Sequence, residues 1–510
     1  MLTSSPGTNK ATRREWIGLA VIALPCLLYS MDLNVLNLAI PHLTADLRPS
    51  ASQLLWIVDI YGFLLAGFLI TMGTLGDRIG RRRLLMVGAA AFGAASVLAA
   101  YSTTAEMLIF SRAVLGVAAA TLAPSTLSLI RNMFLDAHER TMAIGIWVGC
   151  FASGGALGPV LGGVLLEHFW WGSVFLVAVP IMMLLLVLVP LLLPEFKDPG
   201  AGSMDLLSSV LATSAVLAVI YGLKHLAESG PDVTAAVSVL AGIALGILFA
   251  RRQNQLENPM IDMRLFRTPG FTAALLVNVI GVFAAFGFFL FIAQYLQLVM
   301  GMGPLEAGLW LAPSGLVFIA GSVLAPVIVR RFKPQWVLAT GFLVTAAGYG
   351  VLTQVGGNGD LPIVITGFML FCAGLAPMGT LTTDLVMSAV PPEKAGAASG
   401  VSETSFEFGA ALGVAVLGSI VTAIYRTRMS DVTLDVIPHD ALVDARDTLA
   451  AAVSIADSLP GEAGASLLIA SRDAFTLAMQ ATAWVSALLA LVAAAVCLKF
   501  IKPVAAPGAD

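Results

Sequence analysis

Apolar residues fall in runs of about 20, separated by short polar stretches, along nearly the whole of the 510-residue chain. A run of that length forms an α-helix able to cross a ~30 Å hydrocarbon core. Fourteen such runs can be traced, from near Trp16 to near Leu498, so the pattern predicts an all-α integral membrane protein with 14 transmembrane helices. Two stretches break the alternation. Residues 198–204 read DPGAGSM, a flexible turn before two extra spans that end in a basic stretch, residues 251–270. The expected plan is therefore six helices, two inserted helices and six more. It divides into a tail (1–15), a first bundle (16–197), the inserted pair with its loops (198–268), a second bundle (269–502) and a second tail (503–510). The other break is the long loop 427–473 before the last span. Its alanines, leucines and isoleucines recur at helical spacing and predict a helical hairpin on the outer face.

Composition strengthens this reading, because 58% of residues are hydrophobic and only 11% charged, against roughly 25% charged in soluble domains. The placement of charge then orients the chain. Residues 73–85, GTLGDRIGRRRLL, put Asp77, Arg78, Arg81, Arg82 and Arg83 between two apolar runs, and dense arginines there mark the cytoplasmic face. With both termini on that face, 20 of the 27 lysines and arginines lie inside. Six, including Lys224, fall in outer segments, and Arg112 alone is left within the bilayer. The first apolar run lacks a small-residue cleavage site and is expected to be a retained helix. The four cysteines show neither paired nor metal-type spacing. No phosphate-cradling GxxxxGK[ST] loop and no nucleophile elbow appear, so neither an ATP-driven pump nor an enzyme is expected. Nothing in the net charge of -4 points to nucleic acid.

Ionisable side chains inside a span are costly and mark partners or function. The candidates are Asp32, Asp59, Arg112, Asp384, Glu403 and Glu407. At about 1.5 Å per residue, Asp32 and Asp59 come to rest at similar depth below the outer surface and could share one cavity. Glu403 and Glu407 lie four apart, on one helix face, where mutual repulsion favours holding a proton. Such carboxylates suit both proton coupling and a cationic guest. Trp56, Tyr61 and Tyr29 could offer ring faces to that cation, and Phe286 belongs to a phenylalanine-rich ninth span that could line a greasy pocket. In the fifth span Gly154, Gly158, Pro159, Gly162 and Gly163 thin the helix and allow close packing and bending.

Taken together, four stretches resemble the 14-helix drug:proton antiporter branch of the major facilitator superfamily: residues 31–41 (MDLNVLNLAIP), the 73–83 loop, residues 108–120 (LIFSRAVLGVAAA) and the glycine-rich fifth span. Residues 54–68 and 401–409 are further similar to the quaternary-ammonium and dye exporters of staphylococci and the fluoroquinolone and ethidium exporters of mycobacteria. The resemblance implies the major facilitator fold and proton-coupled multidrug efflux by alternating access across a bacterial inner membrane. It also implies proton coupling at Asp32, Arg112, Glu403 and Glu407, and cation binding at Asp32, Asp59, Glu403 and Glu407 beside the aromatic residues. A conformational gate at Gly73, Asp77, Arg78, Arg81, Gly154, Gly158 and Pro159 completes the set. The expected partners are lipophilic cations, protons and membrane lipids. The protein is expected to work as a monomer, with no cofactor or metal. Residues alone leave open an exporter of an endogenous metabolite or lipid, and a non-transporting sensor built on a transporter fold.

Overall fold

A computed structural model describes residues 10–198, 205–230, 232–356, 360–430, 445–459 and 462–501. The first six long helices are α1 (Arg13–Leu47), α2 (Ala51–Ile79), α3 (Arg81–Ala100), α4 (Ala105–Met133), α5 (Ala137–His168) and α6 (Ala178–Leu192). The inserted pair is α7 (Leu206–Ser229) and α8 (Val233–Gln253). Then follow α9 (Pro269–Gln294), α10 (Pro304–Ile328), α11 (Pro334–Leu352), α12 (Leu361–Ser388) and α13 (Ala395–Ser430), the short α14 (Leu449–Ser458) and finally α15 (Glu462–Phe500). Among the described residues, 13 helices are long and apolar enough to cross a membrane. With α5, 32 residues long and packed along α1, the set is consistent with the expected fourteen.

Helix ends follow local chemistry. Thr12 with Glu15 and Ser50 with Gln53 form reciprocal caps at α1 and α2, and α9 to α12 each carry proline in the first turn. The glycine-rich stretch between α2 and α3 departs from the sequence reading. It is helical to Ile79, and only Gly80, at φ 111°, breaks it. Glu195 then accepts hydrogen bonds from the Arg82 and Arg83 amides at 3.0 and 3.2 Å, supplying the acceptors that the first turn of α3 lacks.

Two buried cores organise the chain. One centres on Ile22, Leu115, Leu127 and Phe134 in the first six helices, the other on Phe288, Tyr349, Phe368 and Ala483 in α9 to α15. The halves meet where α13 packs on α2 and α4, and where α5 packs on α10 and α12. Helix α7 lies along both α2 and α13. Phe63, Ala66 and Ile220 form a small core there with Leu217 and Ala411, and the Thr71 and Thr213 hydroxyls pair at 3.2 Å. Only 11% of the α8 apolar stretch is buried, against 83% for α4, so α8 packs mainly on α7 and turns its remaining faces to lipid. Asp205 fastens the inserted pair at its loop end. It caps α7 through the Leu207 and Ser208 amides and pairs with Arg252 of α8 at 2.8 Å. The Arg252 hydrogen bond is the main reason its carboxyl is held down at about 2. The stabilisation it gives is therefore full above the ordinary carboxylate value of ~3.9 and is lost as pH falls through about 2.

The long outer loop is shorter than the apolar runs suggested, because both flanking helices extend into it, α13 to Ser430 and α15 back to Glu462. Between them α14 packs on α15 through Leu449, Ala452 and Ala456, the apolar stripe that predicted a hairpin. Residues 431–444 and 460–461 of the expected loop, and the expected tail 503–510, lie outside the described residues.

Paired glycines set the closest approaches. A Cβ on Gly374 of α12 would stand 2.3 Å from the Gly341 carbonyl of α11, and one on Gly341 would stand 2.5 Å from the Gly374 carbonyl. Gly374→Ala is therefore expected to destabilise the second half by about 1–3 kcal/mol. Thermal unfolding of the solubilised protein checks this, and an unchanged midpoint would rule out the close-approach account.

Candidate functional site

Three of the five expected membrane acids, and Asp77, can be placed by the bases that meet them. Asp32 on α1 accepts a hydrogen bond from the Arg112 guanidinium of α4 at 2.5 Å. Arg112 is 1% exposed. It also donates to the Ile57 carbonyl at 3.1 Å and lies 4.6 Å from the Tyr61 ring centroid. This buried charge thus has a counter-charge, a carbonyl and a ring face beside it, as burial in an apolar medium requires. Tyr61 was expected to offer its ring to a guest cation. In this structure the ring packs on the protein's own Arg112 guanidinium.

Asp59 follows a different course. Positions 57 and 61 of α2 face Arg112, and Asp59, two residues from each, projects to another side of the helix. There it pairs with Lys224 of α7, whose ammonium also sits 4.8 Å over the Phe63 ring. Asp32 and Asp59 therefore take separate partners, Arg112 and Lys224, which meet α2 on different sides. Lys224, which the charge pattern assigned to an outer segment, turns inward. Trp56, 44% exposed, lies 6.5 Å from Phe63, and Phe63 lies 6.4 Å from Tyr221.

Glu403 and Glu407 stand two to three turns into α13, Glu403 buried and Glu407 half-buried. Among the described residues neither has an ion-pair partner, although the Lys224 ammonium lies within electrostatic reach of Glu407. Beside them runs an aromatic tier that crosses between the halves. Tyr29 of α1 packs at 5.0 Å on Phe151 of α5, Phe151 at 5.7 Å on Phe406 of α13, and Phe406 at 5.4 Å on Phe286 of α9. Phe406, between the two glutamates in sequence, and Phe151 were both missed in the sequence reading. A phenylalanine one residue before the second of two paired acids was the available signal.

The basic end of the molecule is latched. Asp77 forms an ion pair with Arg81 at 2.7 Å and accepts the Gly396 and Ala397 amides, each at 2.9 Å. Arg81 donates to the Pro392 and Glu393 carbonyls at 2.7 and 2.8 Å. The first half thereby caps the first turn of α13, where a carboxylate meets both free amides and the positive end of the helix dipole. Gly73 makes the approach possible, since a Cβ there would stand 2.3 Å from the Gly396 carbonyl. Close by, Arg140 of α5 pairs with Asp384 of α12 at 2.9 Å, Thr141 donates to Asp384 at 2.8 Å, and Arg131 donates to the Met387 carbonyl at 2.9 Å. Asp384 thus belongs to the latch, little more than a turn from the end of its helix. Arg78 sits half-buried at the end of α2. Further along α5, Gly154 lets α1 approach, since a Cβ would meet the Leu27 carbonyl at 2.2 Å, and Gly158 is buried. The Pro159 side chain lies outside the described residues. Among the described residues no group of three or more histidine, cysteine or acidic side chains could hold a metal.

Residues 22–414 match the model of the Major Facilitator Superfamily. The chain belongs to that superfamily. This facilitator is 43% identical over 495 residues to the multidrug efflux pump LfrA of Mycolicibacterium smegmatis, covering 97% of this chain and 98% of that protein. It is 35% identical to the methyl viologen resistance protein SmvA of Salmonella typhimurium, covering 91% and 93%, and 31% identical to the tetracenomycin C resistance and export protein of Streptomyces glaucescens, covering 95% and 91%. The fold is also that of the proton:xylose symporter XylE, with TM-score 0.59, 14% identity and 95% of each chain covered. The facilitator is a multi-pass membrane protein with a transporter fold.

Removing one acceptor charge should loosen its latch. In Asp77→Asn, spin labels at Arg83 and Lys394, both exposed on opposite halves of the basic end, are expected to move apart on average and to broaden in distance distribution. Identical distributions in the parent and the variant would show that the Asp77 contacts do not hold the halves together.

Proposed function

We propose that this facilitator is a proton-driven multidrug exporter. It exchanges outside protons for lipophilic cations such as quaternary ammonium antiseptics, ethidium or fluoroquinolones, by alternating access across a bacterial inner membrane, with both termini inside. The observation that carries the reading is the contrast among the membrane acids. Asp32, Asp59, Asp77 and Asp384 each have a basic partner, whereas among the described residues Glu403 and Glu407 have none. Two uncompensated carboxylates on one face of α13, beside an aromatic tier that joins the halves, suit a guest that is cationic and greasy.

Coupling follows from exclusion. A proton and a cation cannot both neutralise the same carboxylate, so release of one favours binding of the other. The latch at the basic end supports reading the structure as the state closed toward the cytoplasm, in which the glutamates take protons from outside and the cation leaves. Moving those protons inward would then accompany opening of the Asp77 latch. Asp32 and Arg112 support this as a second, coupled pair: protonating Asp32 would strip the buried guanidinium of its counter-charge and change how α1, α2 and α4 are held. The relatives named above support small toxic compounds as cargo. Neither a cofactor nor a metal has a role in this scheme, and a single chain supplies all of its parts.

The test is proton release from acid-loaded everted vesicles on adding ethidium. Protein-dependent release is expected, and Glu403→Gln or Asp32→Asn should reduce it to the level of empty membranes while each variant still unfolds cooperatively. If both folded variants exchanged normally, the carboxylate mechanism would be wrong.

A further inference from the structure

The Lys224 ammonium occupies a place built for a cation. It has a carboxylate on one side, Asp59, and an aromatic face on the other, Phe63, with Tyr221 and Trp56 completing the ring wall. Those are the two features that recognise a desolvated organic ammonium. The lysine comes from α7, one of the two helices outside the six-plus-six plan, and α7 packs on both halves at the α2–α13 seam. From there it pairs with Asp59, and its helix packs on α13, which carries Glu407. The lysine is a flexible point charge on a four-carbon stem. Its side chain is 34% exposed, so it is not locked by packing.

We infer that Lys224 is a tethered competitor for the drug cation: in the state latched at the basic end it fills the Asp59 site, displaces the guest from that site and the neighbouring Glu407, and so sets which cations the protein can hold. This inference rests on the exporter reading and assigns the inserted helix a specificity role within it. Asp59 stays compensated when the site is empty of drug, so it does not add a third uncompensated membrane carboxylate to Glu403 and Glu407. A dication has more to gain than a monocation from a freed Asp59, since each added opposite charge strengthens its attraction.

The experiment is equilibrium binding of ethidium, a monocation, and methyl viologen, a dication, to the purified full-length protein near neutral pH. Ethidium is followed by fluorescence anisotropy and methyl viologen by competition against it. A tethered ligand that fills a site nine-tenths of the time weakens apparent affinity about tenfold. Lys224→Met is therefore expected to tighten ethidium by about that factor, and methyl viologen by more. Lys224→Arg should restore the parent values, and Asp59→Asn in the Lys224→Met background should abolish the gain. Proton-coupled ethidium export by Lys224→Met should slow, because the guest is no longer pushed off. If Lys224→Met misfolds, Lys224→Gln supplies the same comparison. Unchanged or weaker binding in the folded, lysine-free variant, or a gain that persists without Asp59, would overturn the inference. A parent protein that binds neither compound and releases no protons would instead overturn the exporter reading.

Discussion

The contact on which the rest depends is the Asp77 carboxylate seated on the first turn of α13. A helix begins with amides that have no partner of their own, and here two of them, Gly396 and Ala397, are satisfied from the other half of the molecule. Arg81 closes the arrangement by neutralising Asp77 and binding the chain just before the helix. The helix so capped also carries Glu403, Phe406 and Glu407. A single polar junction therefore connects the basic end of the protein to the helix that carries both uncompensated carboxylates. Gly73 and Gly396 let the backbones come close enough for it, so the glycines of the loop and the charge of the loop serve one purpose.

Charge economy inside the bilayer explains why the remaining acids differ. Leaving one member of a buried pair without its partner costs several kcal/mol, and Arg112, enclosed by Asp32, the Ile57 carbonyl and Tyr61, shows how completely the protein meets that demand. Against this background the glutamates of α13 stand apart. Among the described residues the chain places no base in ion-pair contact with them, and Lys224 of the neighbouring α7 pairs with Asp59 instead. In the proposed exchange those positions are the ones available to charges that come and go.

Much of this could be read from the residues. Apolar run length alone yields the helices, because the hydrocarbon thickness fixes how long a span must be. The loop at 73–85 announces a membrane face, since arginines cannot lie between spans except there. What the sequence hid depends on partners far apart in the chain. Lys224 looks like an outer anchor until α7 is seen lying along α2, 165 positions from Asp59. Arg140 and Asp384 look like a loop charge and an isolated membrane acid until the halves are brought together. Tyr61 looks like a cation site, and is one, but for a guanidinium that the same chain provides. The single-residue turn at Gly80 depends likewise on Glu195, which arrives from the far end of the bundle to cap α3.

The inserted pair gains a purpose from the same reasoning. Two helices added only for bulk would have no cause to place a lysine where the seam between the halves opens, nor to bury Ile220 and Leu217 against both α2 and Ala411 of α13. Helix α8 behaves like bulk, with most of its surface left uncovered by the rest of the chain. Helix α7 does not. Because it packs on both halves, any rocking of one against the other must either carry α7 with one side or slide it along the seam, and in either case the Lys224 ammonium moves relative to Asp59 or Glu407. In the proposed cycle the charge beside Asp59 is thereby coupled to the rocking of the halves.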